Sequence, residues 1–218
     1  KRQPVDPAAK ADLSAAFRGR PVWLAASTHP GEDEIVGAAH AKMKEVLPDI
    51  ATIIVPRHPE RGTAIAEALR ARGLKVTLRS QGGGIDANTD VYIADTIGEL
   101  GLFYALAPAA FVGGSLVKHG GQNPVEAIKL GAAVLAGPHV HNFREMYADL
   151  LKAGGAKTIE DADSLADAVL DLLQNEVARK ELHARAEACV AAMTGAMPKT
   201  LEAIEAYFPD KVPLQHAS

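Results

Sequence analysis

The sequence predicts an α/β domain in which a doubly wound, parallel β-sheet is covered by helices on both faces. Two observations support this prediction. Short apolar segments with strand character alternate with longer segments of helical character along most of the 218 residues. Within the short segments the apolar residues are continuous, which is typical of parallel strands that are buried on both faces. No repeat, low-complexity segment or linker divides the chain, so residues 1–218 are predicted to form one domain.

The N-terminal half begins with a helix that its capping residues identify. Asp6 is a typical N-cap and Pro7 suits the first helical position, so a helix is expected over residues 8–17, ending before Gly19. The predicted elements that follow are a strand at 21–27, a helix at 32–47, a strand at 52–55, a helix at 60–72 and a strand at 75–79. Gly73 suits the position just after the end of the second of these helices.

The same alternation continues through the second half, where glycine-rich loops lie at residues 81–88 and 113–122. The predicted elements are a strand at 91–94, a helix at 98–106, a strand at 109–112, a helix at 124–130, a strand at 133–136, a helix at 142–152 and a strand at 156–159. The C-terminal segment is predicted to be helical, with helices at 164–173, 176–192 and 198–207.

Composition and charge exclude several classes of protein. The net charge is −4, so the chain lacks the basic field of a nucleic-acid-binding protein. The single cysteine, Cys189, rules out a disulfide framework. No stretch approaches the roughly 18 apolar residues of a transmembrane helix. The chain starts at Lys1 without a signal-like segment, and we therefore expect it to be part of a longer polypeptide.

Polar and glycine-rich clusters follow the strands of the predicted sheet. In an open α/β sheet, ligands bind beyond the carboxyl ends of the strands. The clusters lie at residues 27–31, 56–59, 95–99, 113–124 and 137–139. Five such loops at one edge indicate a long ligand that lies across the sheet.

Two of these loops suggest recognition of an anion. Arg57 lies between prolines that hold the backbone, and its planar guanidinium suits a phosphate or a carboxylate; the alternative is a surface arginine in a rigid turn. Ile97 and Gly98 precede a predicted helix, whose free amides suit an anion or the edge of a base. The alternative there is an ordinary N-cap region.

The glycine-rich loop after residue 112 carries two further candidates. Asn123 and Glu126 have the spacing of a capping box, which would explain both residues. A carboxylate one turn into this helix would also accept both hydroxyls of a ribose. The turn at 113–115 offers backbone N–H groups where a side chain would obstruct a phosphate; the alternative is a tight strand–helix turn.

The sequence predicts neither a metal site nor a bound cofactor. His139 and His141 are two residues apart with no carboxylate at ligand spacing. Cys189 has no local signature of a catalytic nucleophile. The chain also lacks a Gly-x-Ser-x-Gly elbow, a phosphate-binding lysine loop and a dinucleotide-binding Gly-x-Gly-x-x-Gly motif.

Taken together, the clusters resemble the C-terminal half of bacterial 3-deoxy-D-manno-octulosonic acid (Kdo) transferases. The resemblance covers roughly residues 20–205. It rests on these runs, in order: AASTH at 25–29, PRHP at 56–59, DTIGEL at 95–100, FVGGSL at 111–116, GGQNPVE at 120–126, and GPH at 137–139 with Asn142-Phe143.

The resemblance implies a Rossmann-like fold that forms one half of a GT-B glycosyltransferase. Such enzymes transfer Kdo from CMP-Kdo to a lipid A precursor, with inversion, in the synthesis of the lipopolysaccharide inner core. The implied location of the parent enzyme is the cytoplasmic face of the bacterial inner membrane. In this family the N-terminal half carries the acceptor site and the general base. No catalytic residue is therefore expected in this chain, and the chain by itself is expected to transfer nothing.

The resemblance also implies roles in donor binding. Arg57 is expected near the phosphate or the Kdo carboxylate, the Ile97-Gly98 backbone near cytosine, and Glu126 on the ribose. The complete set of donor-binding candidates is Ser27, Thr28, His29, Arg57, Ile97, Gly98, Glu99, Gly113, Gly114, Ser115, Asn123 and Glu126. The chain departs from the family pattern at three places, one of which is Ala127-Ile128 in place of a commoner Pro-Ala. Pro30 replaces a common acidic residue, and Gln122, which cannot titrate near neutrality, replaces a common histidine.

Two alternatives remain open at this point. The chain could belong to another GT-B enzyme that uses a UDP-sugar, either a transferase or an epimerase, or it could be a nucleotide-binding module without catalytic activity. Binding of CMP, UMP and UDP distinguishes these possibilities.

Overall fold

Seven parallel strands form one sheet in the computed structural model, which describes residues 5–207 and the side chains of residues 5–194. The strands are β1 Val22–Thr28, β2 Ala51–Pro56, β3 Val76–Leu78, β4 Val91–Ile93, β5 Ala109–Val112, β6 Ala133–Ala136 and β7 Ala156–Thr158. Their order in the sheet is β3-β4-β2-β1-β5-β6-β7. The strand order reverses between β1 and β5, and such a reversal opens a crevice at the carboxyl ends of the strands.

Helix α1 precedes the first strand, and the other helices connect successive strands or follow the last one. They are α1 Pro7–Ala16, α2 Glu32–Val46, α3 Gly62–Ala71, α4 Leu100–Leu106, α5 Val125–Lys129, α6 Arg144–Lys152, α7 Ala162–Gln174 and α8 Glu176–Tyr207. Short 3-10 turns at Pro59–Arg61 and His141–Phe143 lead into α3 and α6. As expected, Asp6 caps the first helix, its carboxylate accepting from the Ala8 amide at 2.9 Å, and Pro7 is the first helical residue.

The sheet separates two apolar cores, because successive side chains of a strand point to opposite faces. Trp23 on β1 packs with residues of α2, α3 and α7 on one face. Leu24, the next residue, packs with residues of α1, α4, α5, α6 and α8 on the other. Both side chains are fully buried. The predicted doubly wound parallel sheet is therefore confirmed.

The C-terminal helices differ from the prediction in one respect. Separate helices were expected at 176–192 and 198–207, but the structure has the single helix α8 across both ranges. Pro198 lies within this helix although it removes one backbone hydrogen-bond donor.

Candidate functional site

The last residues of β1 have an unusual backbone. Ser27 has φ of +53°, a left-handed conformation that is rare for residues other than glycine, and the pairing of β1 with β2 is irregular at this point. Gly113 lies directly against it, since a Cβ atom on Gly113 would be 2.4 Å from the Ser27 carbonyl oxygen. The Gly113 amide donates to the Ala26 carbonyl at 2.8 Å. The ends of β1 and β5 are therefore packed backbone against backbone.

Thr28 connects the loops after β1 and β2. Its hydroxyl donates to Asp33 at 2.7 Å, and its carbonyl accepts from the Arg57 amide at 3.0 Å and from the Arg61 guanidinium at 3.1 Å. Arg61 also pairs with Asp33. Burial raises the pKa of Asp33, and the hydrogen bonds from Thr28 and Arg61 oppose this rise.

Three imidazoles meet beside this loop. The ring of His29 stacks on that of His119, with 3.8 Å between centroids, and the His58 ring approaches it edge-on at 6.5 Å. Burial is the main reason why the pKa of His29 is lowered to about 4, and electrostatic repulsion from its basic neighbours contributes as well. His29 is therefore neutral at pH 7 and can offer a hydrogen bond, but not a full charge.

A cleft of about 270 Å³ opens between the ends of β2 and β4. Its lining includes Ser27, Arg57, Thr96, Ile97 and Gly98, from three of the five predicted loops, and Leu100 at the start of α4. The Ile97 side chain is 88 % exposed at its rim. The Arg57 guanidinium makes no hydrogen bond to any residue that the structure describes. Within that part of the chain its positive charge has no protein partner.

Glu99 was expected among the donor contacts, and in this structure its carboxylate is bound by neighbouring protein groups. Both of its carboxylate oxygens accept from the Arg79 guanidinium, at 2.7 and 2.5 Å, and Thr96 donates to it as well. The hydrogen bonds from Arg79 are the main reason why the pKa of Glu99 is lowered. Glu99 therefore holds the turn at Ile97-Gly98 in place, and its oxygens are already occupied by protein donors.

The turn at Gly113–Ser115 also differs from the expectation that its amides are open to a phosphate. The amides of Gly114 and Ser115 donate to the carboxylate of Glu32, at 2.7 and 3.0 Å. The Ser115 hydroxyl is fully buried, donating to the Val112 carbonyl at 2.6 Å and accepting from the Gly137 amide at 2.8 Å. The donor-binding roles of these residues remain predictions, but their hydrogen-bonding groups have protein partners here.

Only half of the possible capping box is formed at α5. The Asn123 side chain accepts from the Val125 amide at 2.9 Å, as an N-cap does. Glu126 does not return the bond, and its Oε1 atom is buried without a hydrogen-bond partner. The Glu126 charge lies close enough to Tyr104 to add to the effect of burial in raising the pKa of that phenol. Tyr104 is one turn along α4 from Leu100, which lines the cleft.

The predicted loops lie at one edge of the sheet, as expected for residues that follow parallel strands. Ser27, Arg57, Ile97 and Gly98 share the cleft, whereas Glu99, Gly114 and Ser115 stabilise the loops around it. Four residues that hold these loops were not predicted from the sequence: Glu32, Asp33, Arg61 and Arg79. Acidic residues at the start of α2 were visible in the sequence, but their partners lie far along the chain.

Neither a metal centre nor a membrane span is evident in the part of the chain that the structure describes. Within it, no three His, Cys, Asp or Glu side chains converge in the way that metal binding requires. None of its helices combines the length and the apolar character needed to cross a bilayer.

Similar proteins were found by sequence. No protein-family model matches the chain. The 3-deoxy-D-manno-octulosonic acid transferase of Haemophilus influenzae is 38 % identical over 189 residues, which is 86 % of this chain and 44 % of that protein. The enzyme of the same name from Bordetella pertussis is 40 % identical over 196 residues, covering 88 % of this chain and 46 % of that protein. The chain thus spans less than half the length of these curated relatives.

One solved structure of a single domain is matched by this chain over almost the whole length of that domain. It is the crystal structure of the C-terminal CMP-Kdo binding domain of WaaA from Acinetobacter baumannii, with 33 % sequence identity and a TM-score of 0.78. The match covers 84 % of this chain and 98 % of that domain.

Proposed function

Because this chain belongs to the family of Kdo transferases, we propose that it binds the nucleotide-sugar donor CMP-Kdo for an inverting glycosyltransferase. The observation that carries the proposal is the match along 98 % of a CMP-Kdo binding domain. In this proposal, residues 1–218 are the donor-binding half of a GT-B enzyme. A separate N-terminal half, related to the unmatched part of the relatives, supplies the acceptor site for a lipid A precursor.

The cleft and its surroundings fit the parts of such a donor. The Arg57 guanidinium, free of protein partners among the described residues, faces the phosphate or the Kdo carboxylate. The backbone of Ile97 and Gly98 at the rim faces cytosine. Glu126 accepts the ribose hydroxyls, which would give its buried, unpartnered oxygen the hydrogen bonds that it lacks.

This arrangement supplies what the leaving group needs. CMP leaves as a phosphate monoester, so its departure requires stabilisation of negative charge more than protonation. Fixed positive groups aimed at the developing charge provide that stabilisation without reorganisation. Arg57 supplies a full charge. His29, kept neutral by its surroundings, supplies a hydrogen bond. The acceptor hydroxyl must lose its proton on the opposite face, to a base that the N-terminal half provides.

The parent enzyme, in this proposal, acts in lipopolysaccharide inner-core synthesis at the cytoplasmic face of the bacterial inner membrane. Its donor is water-soluble and its acceptor is a lipid. The donor-binding half therefore faces the aqueous phase, and the acceptor half meets the membrane.

Calorimetric titration with CMP, UMP and UDP tests the proposal. We expect CMP to bind best, and Arg57→Ala and Glu126→Gln each to weaken CMP binding by roughly 10- to 150-fold, the loss typical of a hydrogen bond to a charged group. Two matched controls should leave the affinity unchanged. They are Arg72→Ala, at the C-terminal end of α3, and Glu67→Gln, on the exposed face of the same helix.

The melting temperature of the Glu126→Gln variant distinguishes a role of Glu126 in ligand binding from a role in capping the helix. Glu126 makes no capping bond, so Glu126→Gln should keep or raise the melting temperature while CMP binding falls. A preference for UDP would indicate a UDP-sugar enzyme instead. Unchanged CMP affinity in both variants would reject the residue assignments.

A further inference from the structure

Glu32 is a fully buried carboxylate that only backbone amides hold. Its Oε2 atom accepts from the amides of His29 at 2.9 Å and Gly114 at 2.7 Å. Its Oε1 atom accepts from the amides of Ser115 at 3.0 Å and Leu116 at 2.9 Å. No lysine, arginine or histidine side chain among the described residues pairs with it. Its negative charge is therefore compensated by four N–H groups.

Three of these donors are consecutive residues, and together they form a site that favours an anion. Gly114 has φ of +68°, and the amides of Gly114, Ser115 and Leu116 converge on the same carboxylate. Concave arrangements of successive amides are common binding sites for phosphate. We call this arrangement of residues 114–116 the amide nest. In this chain a side chain of the protein itself fills it.

The same carboxylate sets the distance between two loops of the candidate site. Residues 27–31 and 113–116 are separated by more than 80 positions in sequence, and Glu32 bonds to amides of both. A Cβ atom on Gly114 would lie 3.1 Å from the His29 ring, so the two loops are already in close contact. Displacement of Glu32 would move the His29 imidazole relative to the end of β5.

We propose that Glu32 is the positioning residue of this site. It fills the amide nest, excludes the donor phosphate from it, and holds loops 27–31 and 113–116 in the arrangement that binds the donor. The consequence for recognition is that the phosphate is bound by side chains such as Arg57, and not by the glycine turn. The part of the inference that concerns donor binding rests on the proposed function, whereas the nest itself does not.

Chemical rescue tests the nest without any nucleotide. Glu32→Ala removes the atoms of an acetate ion and leaves the nest empty. We expect this variant to melt at a lower temperature than the wild type, and sodium acetate to raise its melting temperature relative to sodium chloride of equal ionic strength. The wild type should show no such difference. If acetate does not stabilise the variant, or stabilises both proteins equally, the inference is wrong. If the variant folds only in acetate, the yield of folded protein becomes the readout and supports the inference.

CMP titration tests the positioning role. We expect Glu32→Ala to bind CMP roughly 10-fold more weakly or worse, with recovery in acetate but not in chloride. Glu32→Gln has a side chain of the same size and should also bind CMP weakly. The NH₂ group of glutamine would face backbone N–H groups, and two donors cannot form a hydrogen bond with each other. Glu45→Gln, on the exposed end of α2, is the matched control and should bind like the wild type.

The outcomes distinguish the two proposals. If the wild type does not bind CMP but acetate rescues the stability of Glu32→Ala, the proposed function fails and the nest is supported. If the wild type binds CMP, and Glu32→Ala and Glu32→Gln bind it equally well, the positioning role is refuted and the proposed function stands.

Discussion

At the scale of single residues, one close contact of the site lies between two backbones. Ser27 adopts a left-handed conformation, and its carbonyl oxygen occupies the space that a side chain at position 113 would need. Strain of this kind persists only where the surroundings enforce it, and it is concentrated at functional sites. Gly113 is therefore required for packing, whether or not it touches a ligand.

The first prediction concerns this contact. Gly113→Ala should lower the free energy of unfolding by about 1–3 kcal/mol, the usual cost of overpacking, because its Cβ atom would meet backbone that cannot swing away. Gly84→Ala is the matched control, since its Cβ atom meets nothing within 4 Å, and it should change stability by less than about 0.5 kcal/mol. Urea denaturation measures both. Equal stabilities of the two variants would contradict the close approach.

His40 is a buried residue outside the site that makes the stability depend on pH. It is fully buried, its Nδ1 atom lies 2.8 Å from the Thr52 hydroxyl, and its Nε2 atom is 3.6 Å from Asp90. Burial lowers its pKa to about 4, although the charge of Asp90 opposes this effect. In the unfolded chain the pKa is 6.5, so between these values the unfolded state binds more protons.

The second prediction follows from this difference. Stability should fall as the pH is lowered from about 6.5 towards 4, with a contribution from His40 of up to about 3 kcal/mol. His29, with its pKa also lowered to about 4, adds an effect of the same sign in the same range. Urea denaturation at pH 7 and pH 5 should show a smaller pH effect for His40→Gln than for the wild type. Identical pH effects would show that His40 is not the cause.

At the scale of elements, the connection between β4 and α4 depends on a strand that is not next to it in sequence. Arg79, just after β3, binds Glu99 with two hydrogen bonds, donates to the Tyr92 hydroxyl at 2.9 Å and lies 5.7 Å from the Phe103 ring centre. Arg79, which directly follows β3, thus stabilises the Ile97-Gly98 turn at the rim of the cleft through its hydrogen bonds to Glu99.

The third prediction is energetic coupling across this pair. Arg79→Met and Glu99→Gln should each weaken CMP binding, because either change releases the turn. The double variant should be little worse than either single one, which gives a coupling of roughly 0.5–3 kcal/mol in a double-mutant cycle. Binding losses that simply add would show that the pair does not act on the turn as a unit.

At the scale of the whole molecule, all candidate donor contacts lie at one edge of the sheet. Reversal of the strand order between β1 and β5 opens this edge, and the relatives extend well beyond the matched region. Inversion needs the acceptor hydroxyl and its base on the face opposite the leaving group. The proposed donor half supplies only the side of the leaving group.

The fourth prediction is that residues 1–218 alone bind CMP-Kdo but transfer nothing. Holding two reactants together contributes on the order of 7–11 kcal/mol, and a general base contributes a further 10²- to 10⁴-fold in rate. Both contributions require the other half. Incubation with CMP-Kdo and a lipid A precursor should yield no glycosylated lipid by mass spectrometry. Multiple turnovers would show that this chain carries its own base.

The sequence by itself determined the fold class and the edge at which the ligand loops lie. Continuous apolar segments predict strands that are buried on both faces, and helical segments between them require parallel connections, so the loops after the strands must share one edge. The Asp6-Pro7 cap was equally readable, because an N-cap and the helix that it begins are neighbours in sequence. Arg57, Ile97 and Gly98 were placed together for the same reason.

Only the tertiary structure decided which groups remain free for a ligand. Glu32 meets amides more than 80 residues away, and Arg79 meets Glu99, because β5 lies beside β1 and β3 beside β4 in the sheet. The sequence patterns are local, whereas a hydrogen bond between two loops depends on the order of strands across the sheet. For this reason the sequence indicated a candidate site, but it did not show that the Gly114 and Ser115 amides are already occupied.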